Sequence, residues 1–190
     1  MMKRILLHQQ VDSTLPGQPL TPAAQDVVRG QITIQPIDLP VPGLEQLRIE
    51  ALQERFLFIE KLWNEWENGK NRFTAPGEKL FGCMDQTTLV AIGGLNQDPF
   101  DGRSGIGRIR RVYVGTAWRN RGIGQALVHT LIENARTSFT ALHLRTDNPT
   151  AARLYERIGF SPSVALHATH ILNFHSIANA PPKNSGVSGG

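Results

Sequence analysis

The residues best suited to chemistry stand in one run, Val112-Tyr113-Val114-Gly115-Thr116-Ala117-Trp118-Arg119-Asn120-Arg121-Gly122-Ile123-Gly124-Gln125-Ala126-Leu127. A strand enters a turn there, and the turn enters a helix. The turn holds Arg119-x-x-Gly122-x-Gly124. The first turn of a helix has backbone N–H groups without internal partners and carries the positive end of the helix dipole. Glycines at 122 and 124 remove side chains that would keep an anion away, and Arg119 and Arg121 add charge. That combination suits a pyrophosphate. The bland alternative is a glycine-containing turn that merely enters a helix. Two other phosphate loops are excluded, because there is no Gly-Lys-Ser/Thr ending and no third glycine of the dinucleotide fingerprint.

A second constellation follows at Asp147-Asn148-Pro149-Thr150-Ala151-Ala152-Arg153-Leu154-Tyr155-Glu156-Arg157-Ile158-Gly159-Phe160. Asn148 stands just before a helix, with Asp147 or Thr150 also available as its cap. Tyr155 lies about two turns in, and Gly159 ends the helix. Alone, this is also an ordinary capped helix with a core tyrosine.

The elements that must position these residues alternate along the chain. Gln31 to Pro36 has the period-two pattern of a strand. From Gly43 to Gly69, apolar residues from Leu44 to Trp66 recur at helical spacing, which predicts one or two helices. Glu78–Met84 and Thr87–Leu95 predict a hairpin with Asp85-Gln86 at its turn, and Gly93-Gly94 ends the second strand's apolar run. Residues 96–107 read as a loop. Strand 106–114, helix 122–138, strand 141–145 and helix 150–158 follow, and Phe160 and then residues 167–174 offer the last strands. This order implies an α+β domain with a mixed sheet rather than a regular doubly wound fold. Pro16, Gly17, Pro19 and Pro22 make residues 1–30 an extension of uncertain order. Residues 31–175 form the domain, and 176–190 read as a Pro/Ser/Gly-rich disordered tail.

Composition is that of an ordinary globular chain, with 40% hydrophobic and 19% charged residues. No apolar run reaches the roughly 20 residues that span a bilayer, and the apolar stretch near Met1 is too short for a secretion signal. The expected compartment is the cytoplasm. The single Cys83 allows no internal disulfide or cysteine-based metal site and reads as a buried small hydrophobe. No histidine pair has convincing metal spacing. The net charge of +4 raises nucleic acid as a partner, but the excess is modest. Part of it lies in Arg108, Arg110, Arg111, Arg119 and Arg121, where a phosphate-rich small ligand would use it equally well.

Together, in this order and separation, the two constellations resemble the GNAT superfamily of N-acetyltransferases. The first matches its Arg/Gln-x-x-Gly-x-Gly/Ala signature, the second its asparagine, tyrosine and Gly-Phe segment. The resemblance implies a mixed, mostly antiparallel sheet flanked by helices, with strand 106–114 splayed from strand 141–145. It implies acetyl-CoA as co-substrate. The backbone of Val112 and Val114, with Tyr113 between them, would meet the pantetheine arm. The turn from Arg119 and Asn120 through Arg121, Gly122, Ile123, Gly124 and Gln125 would hold the pyrophosphate, and Asn148 would touch the cofactor arm. Tyr155 would protonate the leaving thiolate, and the N–H of Val114 would meet the oxyanion.

The implied reaction is direct attack of a primary amine on acetyl-CoA in a ternary complex. Members that acetylate protein lysines often keep a glutamate early in the splayed strand, where this chain has Arg108. Others carry an acidic base five residues before the asparagine, where this chain has His143, a residue able to act as a base near neutral pH. His143 is equally an ordinary polar strand residue. His167, His170 and His175 read as structural or solvent-facing. Trp63, Glu65, Trp66 and Glu67 would border the acceptor site, but also read as a core stripe with a solvated face. Asn71, Arg72, Phe73 and Glu78 could line the same cleft. The expected partner is a small-molecule or peptide amine, with a homodimer compatible and neither nucleic acid nor membrane expected. The rival within the same fold is a non-catalytic acyl-CoA-binding sensor, against which the retained Tyr155 speaks.

Overall fold

The computed structural model describes residues 32–174. The extension over 1–30 and the tail over 176–190 lie outside the described residues, as do Gln31 and His175. The elements are β1 (Ile32–Pro36), α1 (Leu44–Gln53), α2 (Phe58–Glu67), β2 (Lys79–Asp85), β3 (Thr88–Gln97), β4 (Ile106–Val114), α3 (Ile123–Ala135), β5 (Ala141–Leu144), α4 (Pro149–Ile158), β6 (Ser161–Ala165) and β7 (Ala168–Asn173). A single 3₁₀ turn at Thr116–Trp118 lies between β4 and α3. They build one seven-stranded sheet in the order β1-β2-β3-β4-β5-β7-β6. Every neighbouring pair is antiparallel except β4 and β5.

The helices form where apolar spacing gives each a buried stripe. α1 buries Leu44, Leu47 and Ala51, and α2 buries Ile59, Leu62 and Trp66. Both pack on one sheet face, against Leu80, Ile92 and Tyr113. α3 buries Ile123, Leu127, Val128, Leu131 and Ile132 on the other face, with Leu142, Leu144, Tyr155 and Phe160. Each fully buried Leu or Ile contributes about 1.5–3 kcal/mol over an exposed one. Cys83 is fully buried in this second core, and burial pushes its thiol up to about 12.

Gly93-Gly94 does not end the apolar run of β3, since Leu95 beyond it is fully buried and the strand goes on to Gln97. The two glycines let both faces close in. A Cβ on Gly93 would lie 3.1 Å from Leu131, while one on Gly94 would lie 2.3 Å from the Phe73 ring. Phe73 is itself buried, so it has little room to yield. Gly94→Ala should therefore destabilise the protein by about 1–3 kcal/mol. Chemical denaturation would read this as a lower midpoint with an unchanged slope.

Several boundaries differ from expectation. The hairpin turns at Gln86-Thr87, because Asp85 still pairs with Thr88 and Gln86 takes φ 53°. Helix α3 ends at Ala135 rather than 138. The strand after Phe160 is Ser161–Ala165, an edge strand whose Pro162 and mostly exposed side chains hide it from a hydrophobic pattern.

Two irregularities in β4 open the sheet. Its parallel pairing with β5 covers only Ile106↔Ala141, Gly107↔Leu142 and Arg108↔His143, so β4 continues to Val114 with no strand on that side among the described residues. On its other side, pairing jumps from Gly94↔Arg110 to Ile92↔Tyr113. That leaves one extra residue in β4, a bulge centred on Arg111 with φ 59°. The result is the V-shaped gap between β4 and β5.

Candidate active site

The gap is edged by backbone. The Gly115 N–H donates to the Val90 carbonyl at 2.9 Å, so Gly115 and Tyr113 turn their amides toward β3. By strand alternation Val112 and Val114 turn theirs into the gap. Tyr113, grouped with them in the sequence, does not reach the gap. Its ring is buried between the sheet and α1, and its hydroxyl donates to Glu54 at 2.7 Å.

The turn beyond β4 is held by two carboxylates that sequence reasoning missed, Glu50 in α1 and Glu54 just past its end. Glu50 accepts the Thr116 N–H at 2.8 Å and its hydroxyl at 3.1 Å. Glu54 takes Arg119 through two bonds of 2.6 and 2.5 Å, which hold its carboxyl below the usual range. Arg119 also donates to the Val114 carbonyl at 3.0 Å. The signal that could have found them is their i, i+4 spacing on one face of α1. Arg119 therefore braces the loop, and its charge is neutralised there.

Asn120 at φ 60° and Gly122 at φ 78° take left-handed backbone angles after the extended Arg119, as the chain enters α3. The N–H groups of Arg121, Gly122, Ile123, Gly124 and Gln125 meet no acceptor among the described residues. They form a concave row of donors at the positive end of the helix. Gly122 is needed for its backbone angle rather than for crowding, since a Cβ there would meet nothing within 4 Å and would project into that concavity. Gly124 faces Val114 and Leu154, which brings the start of α3 against both sides of the gap. Arg121 stays exposed, stacked 4.9 Å from the Trp118 ring.

Asn148 caps α4, its Oδ1 accepting from the N–H groups of Thr150 and Ala151. Its side-chain NH₂ is left over. Tyr155 is buried and meets Phe160 edge-on at 5.7 Å. Its hydroxyl bonds to no described residue, yet it is not among the sealed polar atoms that lack a partner. Burial pushes it up to about 12, so it keeps its proton across the neutral range.

On the opposite face of the sheet, where α2 packs, His143 is buried with Nδ1 2.8 Å from Asp98. Burial alone would push the Asp98 carboxyl up. The bidentate bond from Arg108 at 2.9 and 3.0 Å, the Phe100 N–H and His143 together hold it below the usual range. An ionised carboxylate only accepts, so neutral His143 carries its proton on Nδ1 and leaves the Nε2 lone pair free. Asp98 was missed because residues 96–107 read as a loop. His170 is buried, bonded to Thr169 at 2.9 Å, while His167 is exposed and stacks on Phe100.

The remaining cleft candidates divide. Glu65 is buried and bonds Arg111 at 2.8 Å. Trp66 lies in the core and Glu67 is exposed. Asn71 and Asn96 satisfy each other through amide bonds of 3.1 and 3.0 Å. Arg72 donates to the Trp66 carbonyl and Glu78 accepts from Gln97, so both are spent on the fold.

The sequence profile of the Acetyltransferase (GNAT) family matches residues 44–160. The N-alpha-acetyltransferase RimI of Mycobacterium tuberculosis is 31% identical over 90 residues, which cover 45% of this chain and 54% of that protein. A longer curated relative is 26% identical over 154 residues, and the chain spans 37% of its length. Among solved structures, a candidate acetyltransferase from Exiguobacterium sp. 255-15 superposes with TM-score 0.68 at 26% identity, covering 76% of this chain and 94% of that one. A candidate acetyltransferase from Salmonella typhimurium, solved with its cofactor acetyl-CoA, superposes with TM-score 0.56 at 15% identity over 80% of this chain and 99% of its own.

Proposed function

The chain belongs to the GNAT acetyltransferase family, and from that premise we propose that it transfers an acetyl group from acetyl-CoA to a primary amine by direct attack in a ternary complex. The observation that carries this reading is the row of unpartnered N–H groups from Arg121 to Gln125 beside the unpaired edge of β4. The pyrophosphate would lie on that row, with Arg121 above it. The pantetheine amides would take the place of a missing strand along Val112 and Val114. Asn148 would offer its free NH₂ to the same arm.

Chemistry would then proceed at the fork of the gap. His143 Nε2 takes a proton from the attacking ammonium, and Asp98 keeps the ring in the right tautomer. The amine nitrogen bonds to the thioester carbon, and the oxyanion meets the N–H of Val114. The C–S bond breaks, the Tyr155 hydroxyl donates to the departing sulfur, and the second proton leaves the nitrogen as the amide forms and restores the tyrosine through solvent. A buried thiolate also holds a proton more tightly than one in water, which narrows its gap to the tyrosine. A hydroxyl bonded to nothing among the described residues favours catalysis over a binding-only role.

The mycobacterial relative is named an N-alpha-acetyltransferase, which favours an α-amine as acceptor. No helix among the described residues is long and apolar enough to cross a membrane, and we place the reaction in the cytoplasm.

The test is thiol release from acetyl-CoA with a panel of amines, followed across pH. His143→Ala should lower kcat/KM by about 10²-fold or more and change the pH profile. A wild-type profile in the variant would remove His143 from the reaction.

A further inference from the structure

The acceptor must approach from the face that carries α2, because α3 and α4 close the other face at Val114 and Leu154. That face holds an uneven set of charges. Arg108 is matched by Asp98, and Arg111 by Glu65. Lys61 also reaches Glu65, at 3.8 Å, from an exposed position. Asp101, 3.9 Å from His143, is matched by Arg103. Arg145 is exposed and donates to the Leu166 carbonyl. Arg110 alone is partly buried among these groups with no ion pair or hydrogen bond to any described residue.

Its position is specific. Arg110 pairs across the sheet with Gly94, over which the Phe73 ring packs. It lies two residues beyond Arg108, the last β4 residue paired with β5, and so about 7 Å further along the strand from the His143 level. The side chains of Arg108 and Arg110 project on the same face as His143. Beside it, the Nε of Arg111 is buried with no partner. Burial pushes the Arg110 guanidinium toward its neutral form, and the charge of Arg111 adds to the effect, with the Glu65 and Asp98 carboxylates opposing it in part. A half-buried cation with no direct ion pair carries a desolvation cost that an anionic ligand in contact with it would offset.

We propose that Arg110 binds a carboxylate on the acceptor, so that the substrate is an amino-acid-like molecule with its amine at His143 and its carboxylate at the lip of the gap. The reading rests on the gap being the acetyl-CoA site. A single guanidinium with no direct ion pair among the described residues suits a monoanion. A phosphate at neutral pH would bring close to two negative charges and leave an excess. The planar guanidinium also matches a carboxylate in two-point geometry.

The test compares each free amino acid with its own amide, which keeps the amine and side chain but removes the negative charge. The amide's amine loses its proton more readily, so bare chemistry favours the amide. Wild type should instead prefer the acids in kcat/KM by about 30-fold or more, in the range of a hydrogen bond to a charged group. Arg110→Gln should bring that ratio near one, mainly through KM, and Arg110→Lys should restore part of it. Acetyl-CoA affinity, measured on the same samples, should stay within about twofold. Equal use of amides by wild type, no turnover of any amino acid by a protein that binds acetyl-CoA, or an undiminished acid preference in Arg110→Gln would each overturn the proposal. Failure of the folded wild type to bind acetyl-CoA would overturn the cofactor reading beneath it.

Discussion

Gly122→Val should leave the protein folded and weaken acetyl-CoA binding by more than about 100-fold. Gly122 has φ 78° and open space around its missing Cβ, so the folded protein suffers no clash there. It suffers strain, since a β-branched residue at positive φ costs roughly 1–3 kcal/mol. The loop can relieve this by rotating its peptides, which takes the N–H groups of Arg121 to Ile123 out of line. If it does not rotate, the valine side chain occupies the concavity. Either way the cofactor loses charge-assisted hydrogen bonds worth about 1.5–3 kcal/mol each. Two such bonds exceed a hundredfold in affinity. Isothermal calorimetry reads the loss and circular dichroism the retained fold. Unchanged affinity would undo the phosphate-loop assignment.

Tyr155→Phe should lower kcat by about 10²-fold, the low end of what a positioned proton donor contributes. Acetyl-CoA affinity and thermal stability should change little. The hydroxyl has no bond to lose inside the described protein, and the ring that packs against Phe160 is kept. This separation makes the variant informative, because a structural tyrosine would cost stability and a cofactor contact would cost affinity. Stopped-flow or steady-state thiol release measures the rate. An unaltered kcat would end the proton-donor role.

The legible features were those with strong local chemistry. The limits of β4, the Asn148 cap and the Gly159 stop follow from neighbours in sequence, and the structure places them as expected. What stayed hidden depends on partners far along the chain. The five arginines from Arg108 to Arg121 read as one phosphate-directed cluster, but the fold gives Arg108 to Asp98, Arg111 to Glu65 and Arg119 to Glu54. Nothing in their spacing announces those carboxylates, which arrive from a loop and two helices. The bulge at Arg111 was equally silent, since one extra residue in a strand shows only against its neighbour's register. The Gly93-Gly94 pair misled because glycine marks both strand ends and close packing, and only the positions of Leu131 and Phe73 tell the two apart.

The central claim is that the start of α3 and the edge of β4 hold acetyl-CoA. The most direct measurement is calorimetric titration of the purified protein with acetyl-CoA, with free CoA and propionyl-CoA alongside and Gly122→Val as the control. Saturable binding at micromolar affinity or tighter, lost in the variant, is the predicted result. No detectable binding to a wild-type sample that is demonstrably folded would contradict it.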